Sequence, residues 1–378
     1  MKILHICNDF AGSKVHVNLV KKLDDRGISQ IVYCPVRNKL SMGKNQFKGK
    51  NIDFSYSLCI KSWYKFVYHY KAFWLYNDMK KNVNIRSVDL IHAHTLFSDG
   101  FLAYKAYVEF GIPYVVAVRN TDVNDFIRLM KHCYHTGRKI LLNAEKVFFI
   151  SAALQKKFEE SKFVKPILEK VKHKFVLQPN GIDDYWHGHI SHDERKGHDV
   201  LYVGDFSANK NVVRLAEAVL ELRKEDGLND VRLKIVGGEV KGGGRRNDGK
   251  TQAVIDANPE AIMALGKIYD KDKLSEVMRS CSVFAMPSIY ETFGLVYLEA
   301  LSQNLPVVYT KGQGIDGLFD DTVGIGVNPL SVEEIKNALK IILQDSIRYS
   351  NQHVCFDDFK WSEIAGKYIS MYKDIITK

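Results

Sequence analysis

The 378 residues include six cysteines but no Cys-x-x-Cys pair. Cys7, Cys34, Cys59, Cys133, Cys281 and Cys355 are scattered, several of them in strand-like runs. That excludes a disulfide or zinc framework and points to reduced core thiols in a cytoplasmic protein. No stretch of about eighteen apolar residues occurs, so no transmembrane helix is expected. The opening MKILHIC reads as a strand, too soon interrupted by Asn8-Asp9 to be a signal peptide. Two glycine-rich nucleotide signatures are missing as well. The turn after the first strand holds only Gly12, short of G-x-G-x-x-G, and residues 241–250 (KGGGRRNDGK) lack the Walker spacing and read as a mobile surface loop. Internal repeats and low-complexity tracts are absent.

What is present is a globular composition, 46% hydrophobic and 26% charged, long enough for two domains that each bury a core. The formal charge of +10 favours anionic partners: nucleic acid, an acidic membrane surface or phosphorylated substrates. The basic residues are dispersed and carry no nucleic-acid motif, so nucleic acid is not expected as a partner.

Residues 2–7 read as a strand, 14–26 as a helix with Val17, Leu19, Val20 and Leu23 inward, and 28–34 as a second strand, a βαβ opening. His16 is either a site residue or a surface histidine. Residues 35–60 lack periodicity. Residues 62–82 are aromatic and basic, with Trp63, Tyr64, Phe66, Phe73 and Trp74 among Lys65, Lys71 and Lys80. They suit a membrane-surface helix, or a helix with aromatic core contacts, because the aromatics cover too much of the circumference for a clean amphipathic face. Strands over 88–91 and 114–118 end in His92-Ala93-His94 and Arg119-Asn120-Thr121-Asp122, offering His94, Arg119 and Asp122 to a common crevice. His92 and His94 share a strand face, but no further Cys, His or carboxylate cluster accompanies them, and no metal site is expected. Arg119 can hold a phosphate or an acceptor anion, and Asp122 can equally serve as a helix N-cap. Residues 126–142 read as a basic helix and 184–198 as a linker.

A second domain begins with a strand over 200–203, a turn containing Gly204 and Lys210, and a helix over 212–224. Residues 262–265 lead into Gly266-Lys267-Ile268. The densest stretch is 283–308. Val283 to Met286 suits a buried strand that Pro287 stops, a helix begins near Gly294 and runs on through Leu295, and Val307-Val308 opens the next strand. Glu291 then falls at the carboxyl end of a parallel strand, where such sheets bind ligands. Gly294 lets backbone N–H groups approach a ligand at a helix N-terminus, which favours anions. Carboxylates repel phosphate but accept hydrogen bonds from vicinal hydroxyls, so Glu291 and Glu299 suit a sugar. Taken alone, they suit a solvated loop and a helix surface as well.

Pro287, Ser288, Glu291, Phe293, Gly294, Leu298, Glu299, Ala300, Pro306 and Val307, in PSIYETFGLVYLEALSQNLPVV, resemble the E-x7-E region of retaining glycosyltransferases of family 4. DLIHAH (89–94), NGID (180–183) and Lys210 resemble the same family. The resemblance implies an α/β protein of the GT-B fold, two Rossmann-like doubly wound parallel-sheet domains facing across a cleft. Residues 1–184 would form the acceptor domain, with a C-terminal helix over 360–378 packing back on it, and 185–359 the nucleotide-sugar domain. It implies catalytic roles for Glu291, His94, Arg119 and Asp122, and donor contacts from Gly12, Gly204, Lys210, Gly266, Ile268, Phe293, Gly294, Leu295 and Glu299. Glu291 would hold the donor sugar, Glu299 the ribose diol, and Lys210 with the N–H groups near Gly294 the diphosphate. Two positions depart from the family: Asp205 stands for an Arg beside the diphosphate, and Arg119-Asn120 for a His-Gly pair. The implied reaction is metal-independent, retaining transfer of a hexosyl group to a glycan or lipid-linked acceptor in bacterial surface polysaccharide synthesis. The donor is a substrate rather than a cofactor, UDP-sugar ahead of GDP-sugar, and an anionic membrane surface, the inner face of the plasma membrane, is the place of work. A sugar-nucleotide epimerase of the same fold and a non-catalytic GT-B partner protein are the alternatives.

Overall fold

The computed structural model describes residues 1–61, 68–240, 247–345 and 347–377. Trp63, Tyr64, Lys65 and Phe66 of the aromatic-basic segment, and the start of the glycine-rich basic segment, lie outside the described residues. The chain divides into two compact units, one of residues 1–150, 154–181 and 361–378, the other of 151–153 and 182–360.

Unit 1 is built on seven parallel strands: β1 (Lys2–Ile6), β2 (Ser29–Pro35), β3 (Ile52–Ser57), β4 (Leu90–Ala93), β5 (Tyr114–Val118), β6 (Lys146–Phe149) and β7 (Phe175–Leu177). Their order is β3-β2-β1-β4-β5-β6-β7, so the direction of winding reverses between β1 and β4. The helices that follow are α1 (Lys14–Asp25), α2 (Tyr68–Asn82), α3 (Ser98–Phe110), α4 (Tyr134–Asn143), α5 (Ala152–Glu159) and α6 (Leu168–Val171). Central strands such as YVVAV of β5 are apolar throughout because both faces are covered. Val115 and Ala117 join the cluster with Leu19 and Leu23 of α1, while the intervening Val116 lies under Gly100 of α3.

Unit 2 repeats the plan with six parallel strands: β8 (Val200–Asp205), β9 (Leu233–Gly238), β10 (Ile262–Gly266), β11 (Val283–Ala285), β12 (Val307–Thr310) and β13 (Gly324–Val327). Their order is β10-β9-β8-β11-β12-β13, with the reversal between β8 and β11. Its helices are α7 (Asp184–Gly188), α8 (Val212–Leu222), α9 (Gly249–Ala257), α10 (Lys271–Arg279), α11 (Leu295–Ser302) and α12 (Val332–Gln344). The last helix, α13 (Trp361–Ile376), returns to unit 1, where Trp361, Ile364, Tyr368 and Tyr372 pack with Leu19, Leu90 and Phe148.

Several elements differ from the reading of the sequence. The basic helix expected over 126–142 is a π-helical segment (Asp122–Ile127), a break and then α4; the break falls at Met130, whose φ of −115° and ψ of 61° are not helical. The expected linker opens with α7, whose N-cap Asp183 accepts a hydrogen bond from the backbone N–H of Tyr185 at 3.0 Å. Among the described residues, no helix is long and apolar enough to cross a membrane.

Candidate functional site

In unit 2 the loops leaving β8 and β11 meet at the point where the sheet reverses direction. Asn209 joins them: its backbone carbonyl accepts from the N–H of Ile289 at 2.8 Å, and its side chain accepts from the N–H of Tyr290 at 3.0 Å and donates to the Tyr290 carbonyl at 2.9 Å. Asn211, in the left-handed region at φ 58°, starts α8 and donates to the carbonyls of Pro287 at 2.9 Å and Pro329 at 2.6 Å. This stitching sets Lys210 against Glu291, Nζ to Oε2 at 2.8 Å, with side chains only 19% and 12% exposed. The other Glu291 oxygen accepts from the N–H of Thr292 at 3.0 Å. Gly294, at φ 77°, caps α11; a Cβ there would lie 2.4 Å from the Tyr297 ring, so the turn demands glycine. Phe293 is buried beneath it and Leu295 is the first helical residue. The Tyr297 N–H bonds back to the Gly294 carbonyl at 2.9 Å, while those of Leu295 and Val296, the first two of α11, are by helix geometry without intrahelical acceptors.

The other expected donor residues of unit 2 are placed as follows. Gly204 is within β8, and a Cβ on it would meet the Tyr202 hydroxyl at 2.6 Å. Gly266 and Ile268 lie at the end of β10, the edge strand, two strands from β8. Glu299 is on α11; burial pushes its carboxyl up to about 7, opposed by a hydrogen bond from the Trp186 indole and by Lys271. Asp205, in the family's arginine position, turns one carboxylate oxygen onto the N–H of Ser207 at 3.0 Å and onto its hydroxyl.

In unit 1 the expected residues are brought together but face differently. Asp122 accepts from the backbone N–H groups of Leu96, Phe97 and Arg119 at 3.1, 3.0 and 2.8 Å. It clamps the loops after β4 and β5 together. Burial still raises its carboxyl to about 6. The Arg119 guanidinium donates from Nε to the His94 carbonyl at 3.2 Å. His94 itself is 1% exposed and corrects the expectation of a crevice residue. The parallel pairing of β1 with β4 sets His5 opposite His92. His92 and His94 therefore point into a layer with His5, and the His94 Nε2 lies 3.1 Å from the His5 Nδ1. Gly12 lies in the turn after β1 and lines a cavity described below.

Residues 12–185 match the family model Glycosyltransferase Family 4, and residues 189–353 match Glycosyl transferases group 1. This chain is a family 4-like glycosyltransferase. It is 24% identical over 385 residues to an uncharacterized glycosyltransferase of Methanocaldococcus jannaschii, spanning 96% of this chain and 95% of that protein. A sucrose-phosphate synthase from Thermosynechococcus elongatus has a similar structure, with a TM-score of 0.71 at 18% identity over 100% of this chain and 99% of the other. So does HepE of Anabaena in complex with UDP and glucose, with a TM-score of 0.64 at 16% identity over 99% and 100%. The two Rossmann-like parallel sheets are those of the GT-B fold.

One cluster in this glycosyltransferase overturns the expectation that His92 and His94 stand without companions. His5, His92 and His94 have ring nitrogens within 4.8 Å of one another, as do the ligand atoms of Cys7, His16 and His94. The members come from β1, α1 and β4 and meet only after the strands pair. Burial pushes His5 and His16 down to about 3 and His92 and His94 well below their ordinary value, so all four imidazoles are neutral. His92 and His94 stack at 4.1 Å with planes 17° apart, and the Nδ1 of His92 meets the Tyr372 hydroxyl at 2.6 Å. His16 stands edge-on to His94, its ring 73° from it at 4.7 Å, and the hydrogen bond between His92 and Tyr372 fastens α13 to the sheet of the glycosyltransferase.

Proposed function

We propose that the protein is a retaining glycosyltransferase that takes a UDP-sugar and works without a metal ion, adding the sugar to a glycan or lipid-linked acceptor of a surface polysaccharide at an anionic membrane face. The single observation that carries this reading is the Lys210–Glu291 pair, 2.8 Å apart at the reversal point of the second sheet beside the glycine cap of α11. A cation and a helix N-terminus attract a diphosphate, and a half-buried carboxylate beside them accepts hydrogen bonds from sugar hydroxyls. HepE, whose structure holds UDP and glucose, supports the choice of base. The charge of +10 supports the membrane face.

In this reading the bond from the anomeric carbon to the diphosphate oxygen breaks, and the acceptor oxygen bonds to that carbon on the same face. The departing phosphate oxygen takes the acceptor proton, so no protein base is required. Lys210 and the α11 amides stabilise charge that grows on the leaving group, which is where preorganised electrostatics lowers a barrier most. Glu299 accepts from the ribose diol, and its raised pKa leaves part of the population protonated near neutrality. Glu291→Gln keeps a hydrogen-bond acceptor for Lys210 but loses the charge. It is expected to lower transfer about 10²–10³-fold with an unchanged melting temperature. Parent-like turnover by this variant on a panel of UDP-sugars would remove the basis of the reading.

A further inference from the structure

Unit 1 holds a cavity of about 590 Å³ at the carboxyl ends of β2, β1, β4 and β5, across the point where its sheet reverses. Its charges are sorted by strand. Arg37 and Lys44 follow β2, and Lys71 stands on α2; Asp9 follows β1, and Asp122 and Asp125 follow β5. Among the described residues, Arg37, Lys44 and Lys71 have no ion-pair partner. Lys71 is half-buried, and both desolvation and the Arg37 charge oppose its ammonium. The carboxylate that acts on it, Asp99, is engaged by Asn8 at 2.9 Å and is pushed up to about 7 by burial, which makes it a weak counter-ion. Arg37 and Lys44 are exposed and Lys71 is half-buried, so three cations gathered on one side of the cavity repel one another and attract an anion. On the other side Asp122 is taken up by backbone amides, which leaves Asp9 and Asp125 for hydroxyl groups.

We infer that this cavity recognises a phosphorylated sugar, its phosphate or diphosphate ester seated between Arg37 and Lys71 and its hydroxyls against Asp9 and Asp125. The inference rests on the transferase reading in that this ligand is then the acceptor. The ester has two sources, a soluble sugar phosphate or a lipid-borne one. Leu40, 92% exposed in the segment between Arg37 and Lys44, and Phe73 and Trp74, exposed beside Lys71, give the lipid-borne form apolar neighbours.

The test is calorimetric titration of the full chain with inorganic pyrophosphate in a Lys210→Met background, which disables the donor cation. Pyrophosphate is expected to bind, and adding Lys71→Met or Arg37→Met is expected to weaken it about tenfold or more, with an unchanged melting temperature. Absent binding, or binding indifferent to both substitutions, overturns the proposal. Competition by hexose 1-phosphate supports it with a soluble source; competition by phosphatidylcholine vesicles carrying polyprenyl phosphate, and not by plain vesicles, supports it with a lipid source. UDP titration of Lys71→Met with Lys210 intact separates the two readings. UDP binding that persists while pyrophosphate is indifferent to Lys71 fails only the cavity. Pyrophosphate binding that depends on Lys71 in a protein that never binds UDP fails only the transferase reading.

Discussion

The two units wind their sheets alike, with the first and fourth strands side by side, but they treat polar groups at that seam in opposite ways. Unit 2 keeps ions there and pairs them: Lys210 with Glu291 at 2.8 Å. Unit 1 keeps its charges for the cavity at its seam and lays an uncharged layer beneath, with four neutral imidazoles and the carboxyls of Asp99 and Asp122 shifted upward. A paired ion is ready to exchange its partner for a charged ligand. A neutral buried stack has nothing to exchange and serves as framework. The same winding therefore sets a paired ion at the seam of one unit and a neutral floor beneath the cavity of the other.

The contrast breaks most visibly at Lys210. Lys210→Met leaves Glu291 half-buried without its cation, and UDP affinity and transfer are each expected to fall about 10²–10³-fold, with partial recovery in Lys210→Arg. A Met variant that titrates with UDP as the parent does would place the diphosphate elsewhere.

Acid sharpens the contrast next. His5 and His16 drop from 6.5 to about 3 on folding, so the unfolded chain binds more protons between those values. Their stabilisation is complete above 6.5 and is lost as pH falls toward 3. His92 and His94 act in the same direction. Asp99 and Asp122, raised to about 7 and about 6, act oppositely and stabilise as pH falls, but they are two groups against four. Between about pH 7 and pH 5, hydrogen exchange after correction for intrinsic rates should show β1 and β4 losing protection more than β8 and β11. Equal losses in the two sheets would erase the distinction.

Two smaller effects probe unit 2 alone. Gly294→Ala places a Cβ in the left-handed region and against Tyr297, for about 1–3 kcal/mol of strain and a drop of about 2–4 °C in melting temperature per kcal/mol. Trp186→Phe removes the hydrogen bond that favours ionised Glu299, so the Glu299 carboxyl should titrate higher still, a modest shift readable by NMR. An unmoved Glu299 resonance would show that the indole has no part in setting its charge.

Legibility followed the same division. Glu291, Gly294 and Glu299 lie within one short run, so a local pattern exposes them together with the strand and helix that carry them. The bounds of α13 are also legible, because Trp361, Ile364, Ala365, Tyr368 and Tyr372 repeat at helical spacing. The imidazole stack was not legible: His5, His16 and His94 become neighbours only through parallel pairing, and no local spacing encodes that. Arg37 lay in a stretch without periodicity, and Lys71 was one lysine among many in an aromatic run. β13, with the sequence GIGV, is a short, glycine-rich edge strand whose intrinsic preference for extended structure is weak. Asp122 was legible as a polar group at a strand end, but its three amide partners on two loops required the fold.

The return of α13 to unit 1 has a consequence for the order of assembly. During synthesis the stretch from Ile182 to Lys360, nearly all of unit 2, emerges before Trp361 to Lys378 exist. Tyr372, the hydroxyl partner of His92, belongs to those last residues, as do Trp361 and Ile364, which close the cluster around Leu19 and Phe148. The half of the molecule that is started first is thus completed last, and until then β1 and β4 carry an uncovered apolar face. That interval, rather than the finished protein, is where a chaperone would find its substrate.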